Sequence, residues 1–231
     1  MSGYEPGYFA RDYFRLHAGK VGYLRAVADR LLAEAPAAPR ALDLGAGVGF
    51  LVDELAGRGI ATWGIEHALV ACARQRTPRR LLCADAQRLP LADGSFEAIA
   101  FCDVIEHLPD PGAALAECHR VLCPGGVLLT ITLNAHSLAR PLLGRRWAWY
   151  QDPTHLHLFS RPALAGALRS AGFSDIRVET FFNFHSVGES TPILRPLARL
   201  RRFVTVPWVG DALLGLAWKG RRHPQATTRS T

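Results

Sequence analysis

The order of apolar and polar positions along this chain alternates between two patterns. Residues 14–35 have apolar positions at helical spacing, and from residue 40 onward short apolar runs alternate with further helical segments. The five apolar runs that predict strands are residues 40–44, 60–66, 81–84, 97–102 and 127–133. Strands that alternate with helices at this spacing are typical of parallel βαβ units, which build a doubly wound sheet. The pattern therefore predicts an α/β fold.

Two later segments predict the edge of this sheet. Residues 176–182 and 212–218 have the apolar character of strands, and a long segment without helical spacing, roughly residues 183–210, joins them. We therefore expect a mixed sheet with an antiparallel edge. The helices expected between the strands are residues 50–58, 68–76, 111–122 and 161–171.

The bulk composition fits a single domain over residues 1–231. Hydrophobic residues make up 49% of the chain, which is enough for a continuous core and excludes wholesale disorder. No run of about 18 apolar, uncharged residues is present, and no apolar signal core precedes Tyr13, so we expect a cytoplasmic protein. The five cysteines form no C-x-x-C pair, which argues against a disulfide framework or a cysteine zinc site.

The net charge of +7 is concentrated at one end of the chain. Residues 192–231 hold eight of the 27 basic residues and one of the 20 acidic residues, which leaves 19 of each in residues 1–191. Because the rest of the chain is neutral, the basic balance does not predict a nucleic-acid partner. Within the basic end, residues 192–209 alternate apolar side chains with arginines. We expect this segment either to touch an anionic membrane surface or partner, or to be a solvated lid.

Three glycines at alternate positions follow the first predicted strand and open a helix. Gly45, Gly47 and Gly49 allow a sharp backbone turn and a close approach of a ligand. The spacing differs from the G-x-G-x-x-G of dinucleotide sites, and Phe50 stands where that fingerprint continues with a small residue. Asp43 adds a carboxylate that would repel a pyrophosphate but favour a ligand with an ammonium and a sulfonium group.

Acidic residues also end the next two predicted strands. Glu66 can accept both hydroxyl hydrogens of a ribose, and Asp85 can accept a hydrogen bond from an adenine amine. Each acid by itself is equally well explained as a helix cap or a surface charge. Their common position at the carboxyl ends of successive strands favours a nucleoside pocket, because open α/β sheets bind ligands there.

Four runs resemble the motifs of class I S-adenosylmethionine-dependent methyltransferases in the right order: residues 41–50, 81–99, 103–111 and 120–128. The chain is similar to the branch with ubiquinone-type and other small-molecule O-methyltransferases and sugar methyltransferases. The resemblance, over roughly residues 35–135, implies a Rossmann-like, seven-stranded, mostly parallel sheet with an antiparallel edge hairpin. It implies S-adenosyl-L-methionine as cofactor, with contacts at Asp43, Gly45, Ala46, Gly47, Gly49, Glu66, Asp85, Ala86, Cys102 and Asp103.

The single domain then divides into an N-terminal helix (14–35), a cofactor-binding half (40–135), a substrate-covering insert (136–160) and the basic segment 192–209.

We expect His155 to be the base or acceptor-orienting residue, supported by His157. His107 is either a second base or, with Glu106, part of the turn that supports the cofactor pocket. Trp147 and Tyr150 either line the acceptor or anchor the insert to the sheet. No third metal ligand accompanies the two histidines of the insert, so no metal is expected.

These features predict methyl transfer from S-adenosylmethionine to a small-molecule acceptor, and O-methylation of a lipid-linked, quinone-type or sugar substrate in particular. Three other functions stay open at this point: an RNA or protein methyltransferase, suggested only by the basic segment; a nucleotide-binding oxidoreductase, suggested by the glycine turn alone; and a non-catalytic member of the fold that binds the cofactor or a partner protein. The sequence does not identify the acceptor or the oligomeric state.

Overall fold

The computed structural model describes residues 13–35, 37–73, 80–182, 204–205 and 210–220. One central sheet has the strand order β3-β2-β1-β4-β5-β8-β6-β7. Strands β1 to β5 are mutually parallel, and β8, β6 and β7 each run antiparallel to the strand before them in this order. The strands are β1 Arg40–Leu44, β2 Ala61–Glu66, β3 Leu81–Cys83, β4 Phe96–Cys102, β5 Leu122–Leu133, β6 Asp175–Phe182, β7 Val204–Thr205 and β8 Ala212–Trp218.

Helices pack on both faces of the sheet. On one face, Val27 and Leu31 join a buried cluster with Leu51 and Leu55, and on the other face Leu115 packs in a second cluster. Burial of these apolar side chains is the main favourable contribution to the stability of the fold. The helices are α1 Tyr13–Glu34, α2 Phe50–Ala56, α3 Leu69–Ala73, α4 Pro111–Val121, α5 Ala139–Leu143, α6 Ala148–Gln151 and α7 Arg161–Ser170, with 3-10 turns at Ile105–His107 and Gly144–Arg146.

Local sequence explains where the two helices on the second face begin. The Asp110 side chain accepts a hydrogen bond from Ala113 N at the start of α4, and Pro111 follows it. The Ser160 side chain does the same for Ala163 N at the start of α7. A polar side chain that accepts from the first turn, followed by proline, is a favourable helix start because proline has no N–H to satisfy.

The predicted fold class is confirmed, and the antiparallel edge lies where it was expected. The bounds of β1 and β8 agree with the prediction, but β5 begins five residues earlier than the expected start at Val127, because Leu122 pairs with Phe96 before a register shift. The two-residue strand β7 pairs with the end of β6 and adds an eighth strand to the seven expected. The other residues of the basic segment 192–209 lie outside the described residues. Among the helices that the structure describes, none has the length and apolar character needed to span a membrane.

Candidate functional site

The glycine turn between β1 and α2 adopts a backbone that few other residues tolerate. Gly45, Gly47 and Gly49 have φ angles of 85°, 56° and 95°, in the left-handed region that glycine enters without steric cost. The N–H groups of Gly45 and Ala46 both donate to Ile65 O, at 2.8 and 2.9 Å. A Cβ at Gly45 would overlap the Cγ2 of Val104. The turn is therefore packed directly against the loop that follows β4.

Glu66, at the end of β2, connects this turn with the next loop. Its Oε2 accepts from Gly47 N at 2.8 Å, and its Oε1 accepts from Ala68 N at 2.8 Å. Each carboxylate oxygen can accept more than one hydrogen bond. The side chain can therefore support the glycine turn and still accept from the hydroxyl groups of a ligand.

Asp43 is the buried acid of the site, with 6% of its surface exposed. Burial, and secondarily the negative charge of Glu66, raises its pKa from 3.8 to about 7. The cause is that a carboxylate loses its hydration in the protein interior, which disfavours the ionised form. A cationic group bound beside Asp43 would favour the ionised form again.

Asp85 lies in the loop after β3, beside the buried Ala86. Its Oδ1 accepts from the backbone N–H of Gln87 at 2.9 Å and from Gln87 Nε2 at 3.1 Å. The backbone hydrogen bond from Gln87 is the main cause of a lowered pKa of Asp85. Gln87 in turn accepts from Asp110 N through its Oε1, at 2.9 Å. The carboxylate is therefore ionised and held in place at the sheet edge.

The end of β4 brings in a residue that the sequence analysis did not identify. Cys102 ends the strand, and Asp103 follows it with a φ angle of 55°. Asp103 Oδ2 accepts from the hydroxyl of Tyr23, on α1, at 3.2 Å. Burial first, and the charge of Asp103 second, raise the pKa of Tyr23 well above 10. Tyr23 thus stays protonated and donates to the cofactor-side loop.

Two histidines from distant parts of the chain stack on one another beside this loop. The ring centroids of His107 and His155 are 4.6 Å apart, with an interplanar angle of 29°. Trp149 stacks on the His155 ring, with centroids 6.0 Å apart. One carboxylate oxygen of Glu106 and one nitrogen of each histidine lie within 4.8 Å of one another. We call Glu106, His107 and His155 the histidine cluster.

Hydrogen bonds identify the protonated nitrogen of each ring. Thr154 Oγ1 donates to Asp152 Oδ1 at 2.5 Å and lies 2.8 Å from His107 Nδ1. Because the only hydroxyl hydrogen of Thr154 goes to Asp152, His107 Nδ1 donates to the hydroxyl oxygen. His155 Nδ1 is 2.9 Å from the carbonyl oxygen of Trp149, which can only accept. Burial, and next the proximity of His155, lower the pKa of His107.

Backbone hydrogen bonds hold the insert against the turn that carries Glu106. The carbonyl oxygen of Glu106 accepts from Leu156 N at 2.8 Å and from His157 N at 3.0 Å. The His157 ring lies near Phe159, with centroids 6.3 Å apart, and His157 is not a member of the histidine cluster. The sequence predicts that His157 supports His155, whereas in the structure His155 lies with His107 and Glu106. The spacing of residues within the insert could not reveal that pairing.

The aromatic residues of the insert differ in exposure. Trp147 is 2% exposed, with the guanidinium of Arg140 5.9 Å from its ring centroid. Tyr150 is 48% exposed and makes edge contacts with Trp147 and Trp149. Burial of this kind fits Trp147 as an anchor of the insert. Tyr150 is the aromatic side chain of this group that is best placed to meet a ligand.

Comparisons with known proteins agree with this architecture. The family model described as a methyltransferase domain matches residues 14–178. The chain is 34% identical over 171 residues to a ubiquinone biosynthesis O-methyltransferase from Xanthomonas axonopodis, a match that covers 68% of this chain and 70% of that protein. It is 29% identical over 222 residues to a malonyl-[acyl-carrier protein] O-methyltransferase from Geobacter sulfurreducens, covering 89% and 82%.

Two other curated relatives are matched over a smaller part of their length, since the chain spans 31% of one and 65% of the other. Among solved structures, a SAM-dependent methyltransferase from Thermotoga maritima superposes with a TM-score of 0.70 at 21% identity. That superposition covers 91% of this chain and 96% of the other. At this identity the structural likeness supports the fold.

Proposed function

The chain belongs to the methyltransferase-domain family and is an S-adenosylmethionine-dependent methyltransferase, and from this premise we propose that it methylates an oxygen atom of a small-molecule acceptor. The acceptor class that we propose is a quinone-type or lipid-linked molecule, with a sugar as the alternative. Support comes from relatives whose names state O-methylation, in ubiquinone biosynthesis in one case and on malonyl-[acyl-carrier protein] in the other.

The strand ends around the glycine turn are the proposed cofactor pocket. Asp43 would pair with the α-ammonium group, Glu66 would accept from the ribose hydroxyls, and Asp85 would accept from the adenine amine. All three lie at the carboxyl ends of parallel strands, where sheets of this type bind ligands. Backbone contacts to the cofactor are proposed at Gly45, Ala46, Gly47, Gly49, Ala86, Cys102 and Asp103.

The observation that carries the proposal is the position of the histidine cluster relative to the glycine turn. Val104 packs against Gly45, and the cluster begins two residues later, at Glu106. The loop that borders the cofactor therefore continues directly into His107, onto which His155 stacks. A displacement at a sulfonium methyl needs the acceptor oxygen in line with the S–CH3 bond. We propose that the cluster orients that oxygen.

Apolar side chains near His155 favour an acceptor with a hydrophobic part. Leu156 is 55% exposed, and Tyr150, which is 48% exposed, contacts the Trp149 ring that stacks on His155. Leu156 and Tyr150 both belong to the insert, and exposed large apolar residues can contribute to a binding surface. A prenylated or aromatic acceptor would cover them, whereas a bare sugar would not.

For the basic segment 192–209 we propose contact with an anionic membrane surface from the cytoplasmic side. The support is its sequence, in which arginines such as Arg195 and Arg199 alternate with apolar residues. Sedimentation of the full chain with phosphatidylglycerol vesicles at low salt tests this proposal. Replacing Arg195, Arg199, Arg201 and Arg202 by glutamine should reduce the bound fraction severalfold. Equal sedimentation of both proteins would refute it.

A screen of acceptors with radiolabelled S-adenosylmethionine tests the proposed reaction. We expect label in a catechol or quinol with an alkyl chain, and none in RNA or protein. His155→Ala should lower turnover at least tenfold, and His136→Ala, which changes an exposed histidine outside the histidine cluster, should not. Label found only in RNA or protein would overturn the small-molecule assignment. Cofactor binding without any transfer across the panel would favour a non-catalytic member of the fold.

A further inference from the structure

The histidine cluster has the composition of a transition-metal site. It combines two imidazoles with a carboxylate, and its three ligand atoms lie within 4.8 Å of one another. We propose that Glu106, His107 and His155 together bind one divalent transition-metal cation, which holds the oxygen atom of the methyl acceptor. Only the second half of this statement rests on the proposed function, because binding of the cation can be measured without an acceptor.

The hydrogen bonds of the two rings are those that metal-bound histidines make. A histidine that coordinates through one nitrogen usually donates its other N–H to a carboxylate or a carbonyl oxygen, which fixes the ring and its tautomer. His155 Nδ1 meets the carbonyl oxygen of Trp149 at 2.9 Å. His107 Nδ1 donates to Thr154, which donates to Asp152. With Nδ1 as the donor in each ring, Nε2 is the nitrogen that would coordinate a cation.

The backbone keeps the three ligands together before any ion binds. Glu106 and His107 are consecutive in one 3-10 turn, and the Glu106 carbonyl accepts from Leu156 N, next to His155. Two ligand atoms at about 2.1 Å from one ion lie at most about 4.2 Å apart. Coordination of one ion therefore requires side-chain movements of roughly 1 Å. It also requires rotation of the two stacked rings, because the lone pair of each nitrogen lies in its ring plane.

The charge of the site also suits a divalent cation. Glu106 is 2% exposed, and a buried carboxylate is stabilised by a nearby positive charge. Asp152 accepts a hydrogen bond from Thr154, behind His107, so a second carboxylate lies near the site. Mixed nitrogen and oxygen ligands select Zn²⁺, Co²⁺, Fe²⁺ or Mn²⁺ rather than Mg²⁺ or Ca²⁺, which prefer oxygen alone.

Three protein ligands leave coordination positions for the acceptor, as in catalytic metal sites. A hydroxyl group bound to the cation loses its proton to solvent more easily, because the cation stabilises the oxyanion. The new O–CH3 bond then forms as the S–CH3 bond of the cofactor breaks. The electron pair of the broken bond stays on sulfur and gives the neutral thioether. No oxidant or reductant is needed.

Titration of the chelator-stripped full chain with Co²⁺ tests the site directly. We expect one Co²⁺ per chain, with visible d–d absorption bands that report bound nitrogen ligands. His155→Ala and Glu106→Gln should each weaken Co²⁺ binding more than tenfold. Asp152→Asn, which alters the support of His107 but removes none of the three ligands, should weaken it by about 10- to 100-fold. His136→Ala should bind as the wild type does, since this histidine is exposed and not part of the cluster.

Binding of S-adenosylhomocysteine to each variant shows whether the fold and the cofactor pocket are intact. Absence of Co²⁺ binding by the wild type, or binding that His155→Ala and Glu106→Gln both leave unchanged, would overturn the metal site. Methyl transfer that persists in the presence of a chelator would overturn the role of the cation in holding the acceptor, while the proposed function stands. If the wild type binds Co²⁺ but methylates no acceptor, the metal site stands and the proposed function is refuted.

Discussion

The Tyr23 hydroxyl donates a hydrogen bond to the carboxylate of Asp103, 3.2 Å away, although 80 positions separate the two residues. This contact joins the N-terminal helix α1 to the loop after β4. Asp103 has a left-handed backbone, with a φ angle of 55°, which costs a non-glycine residue roughly 1–2 kcal/mol. The hydrogen bond from Tyr23 therefore helps to hold a strained residue at the edge of the cofactor pocket.

Replacing Tyr23 by phenylalanine removes this hydrogen bond and keeps the aromatic ring. We expect the free energy of unfolding to fall by about 1–2 kcal/mol, because Asp103 loses a partly buried donor. S-adenosylhomocysteine should bind severalfold more weakly by calorimetry, since the loop is less well held. Tyr150→Phe is the matched control for stability, because the exposed Tyr150 should change the free energy of unfolding by no more than about 0.5 kcal/mol. Unchanged unfolding and unchanged binding in Tyr23→Phe would contradict the role of the contact.

Asp43 gives the ligand-free protein a specific dependence of stability on pH. Its pKa is about 7 in the folded state and 3.8 without burial, so the folded state binds the proton more tightly. The stability that this proton contributes is complete below pH 4 and is lost as the pH rises through 7. From pH 5 to pH 8 the wild type should lose roughly 3 kcal/mol of unfolding free energy relative to Asp43→Asn. Urea denaturation at both pH values measures this difference, and parallel curves would show that Asp43 does not titrate there.

The same group should make cofactor binding depend on pH. If ionised Asp43 pairs with the ammonium group of the cofactor, binding must release the proton that Asp43 holds below pH 7. The affinity for S-adenosylhomocysteine should therefore rise severalfold between pH 5.5 and pH 8 in the wild type. Asp43→Asn should bind more weakly at pH 8 and show a flatter profile. An identical slope in both proteins would place the titrating group elsewhere.

Gly45 and Gly59 form a matched pair for separating backbone strain from a steric clash. Their φ angles are 85° and 84°, but a Cβ at Gly45 would overlap Val104, whereas nothing lies within 4 Å of one at Gly59. Gly59→Ala should cost about 1–2 kcal/mol of unfolding free energy from strain alone. Gly45→Ala should cost roughly a further 1–3 kcal/mol of unfolding free energy, because the added methyl group overpacks the site. Val104→Ala removes the overlapping Cγ2 but leaves the Val104 Cβ 3.2 Å from the added Cβ, so most of the extra cost at Gly45 should disappear. An extra cost that Val104→Ala does not reduce would reject this explanation.

Glu66→Gln tests whether the glycine turn depends on a carboxylate. Both oxygens of Glu66 accept backbone N–H groups, from Gly47 and Ala68. An amide keeps one acceptor and turns its NH2 group toward the other N–H, so one backbone donor is left unsatisfied at a cost of about 1–3 kcal/mol. Affinity for S-adenosylhomocysteine should fall at least tenfold. Glu54→Gln is the control, because it breaks a surface ion pair with Arg58. It should lower the free energy of unfolding by no more than about 1 kcal/mol. Equal losses of unfolding free energy in the two variants would argue against a special role of Glu66.

The sequence predicted well those features that depend on neighbouring residues. The bounds of β1 and β8 and the glycine turn follow from short apolar runs and from glycine spacing, which local sterics determine. The stacking of His107 on His155 and the contact of Tyr23 with Asp103 were not predicted, because they arise only when distant segments pack together. His155 and His157 were expected to act together, but the backbone of the insert donates to the Glu106 carbonyl and the His155 ring lies against His107 instead.

Thr154 is a positioning residue for the His107 ring, and two substitutions separate this role from a merely structural one. Thr154→Val keeps the shape but removes the hydroxyl that links His107 Nδ1 to Asp152. The ring should then lose its fixed tautomer, which nitrogen-15 NMR of the imidazole reads directly, and Co²⁺ affinity and methyl turnover should each fall roughly tenfold. Binding of S-adenosylhomocysteine should not change, because Glu66 and Asp43 lie outside this network. Thr154→Ser restores the hydroxyl and should recover the wild-type tautomer. If the serine variant is as impaired as the valine variant, the threonine methyl group, and not the hydrogen bond, orients His107.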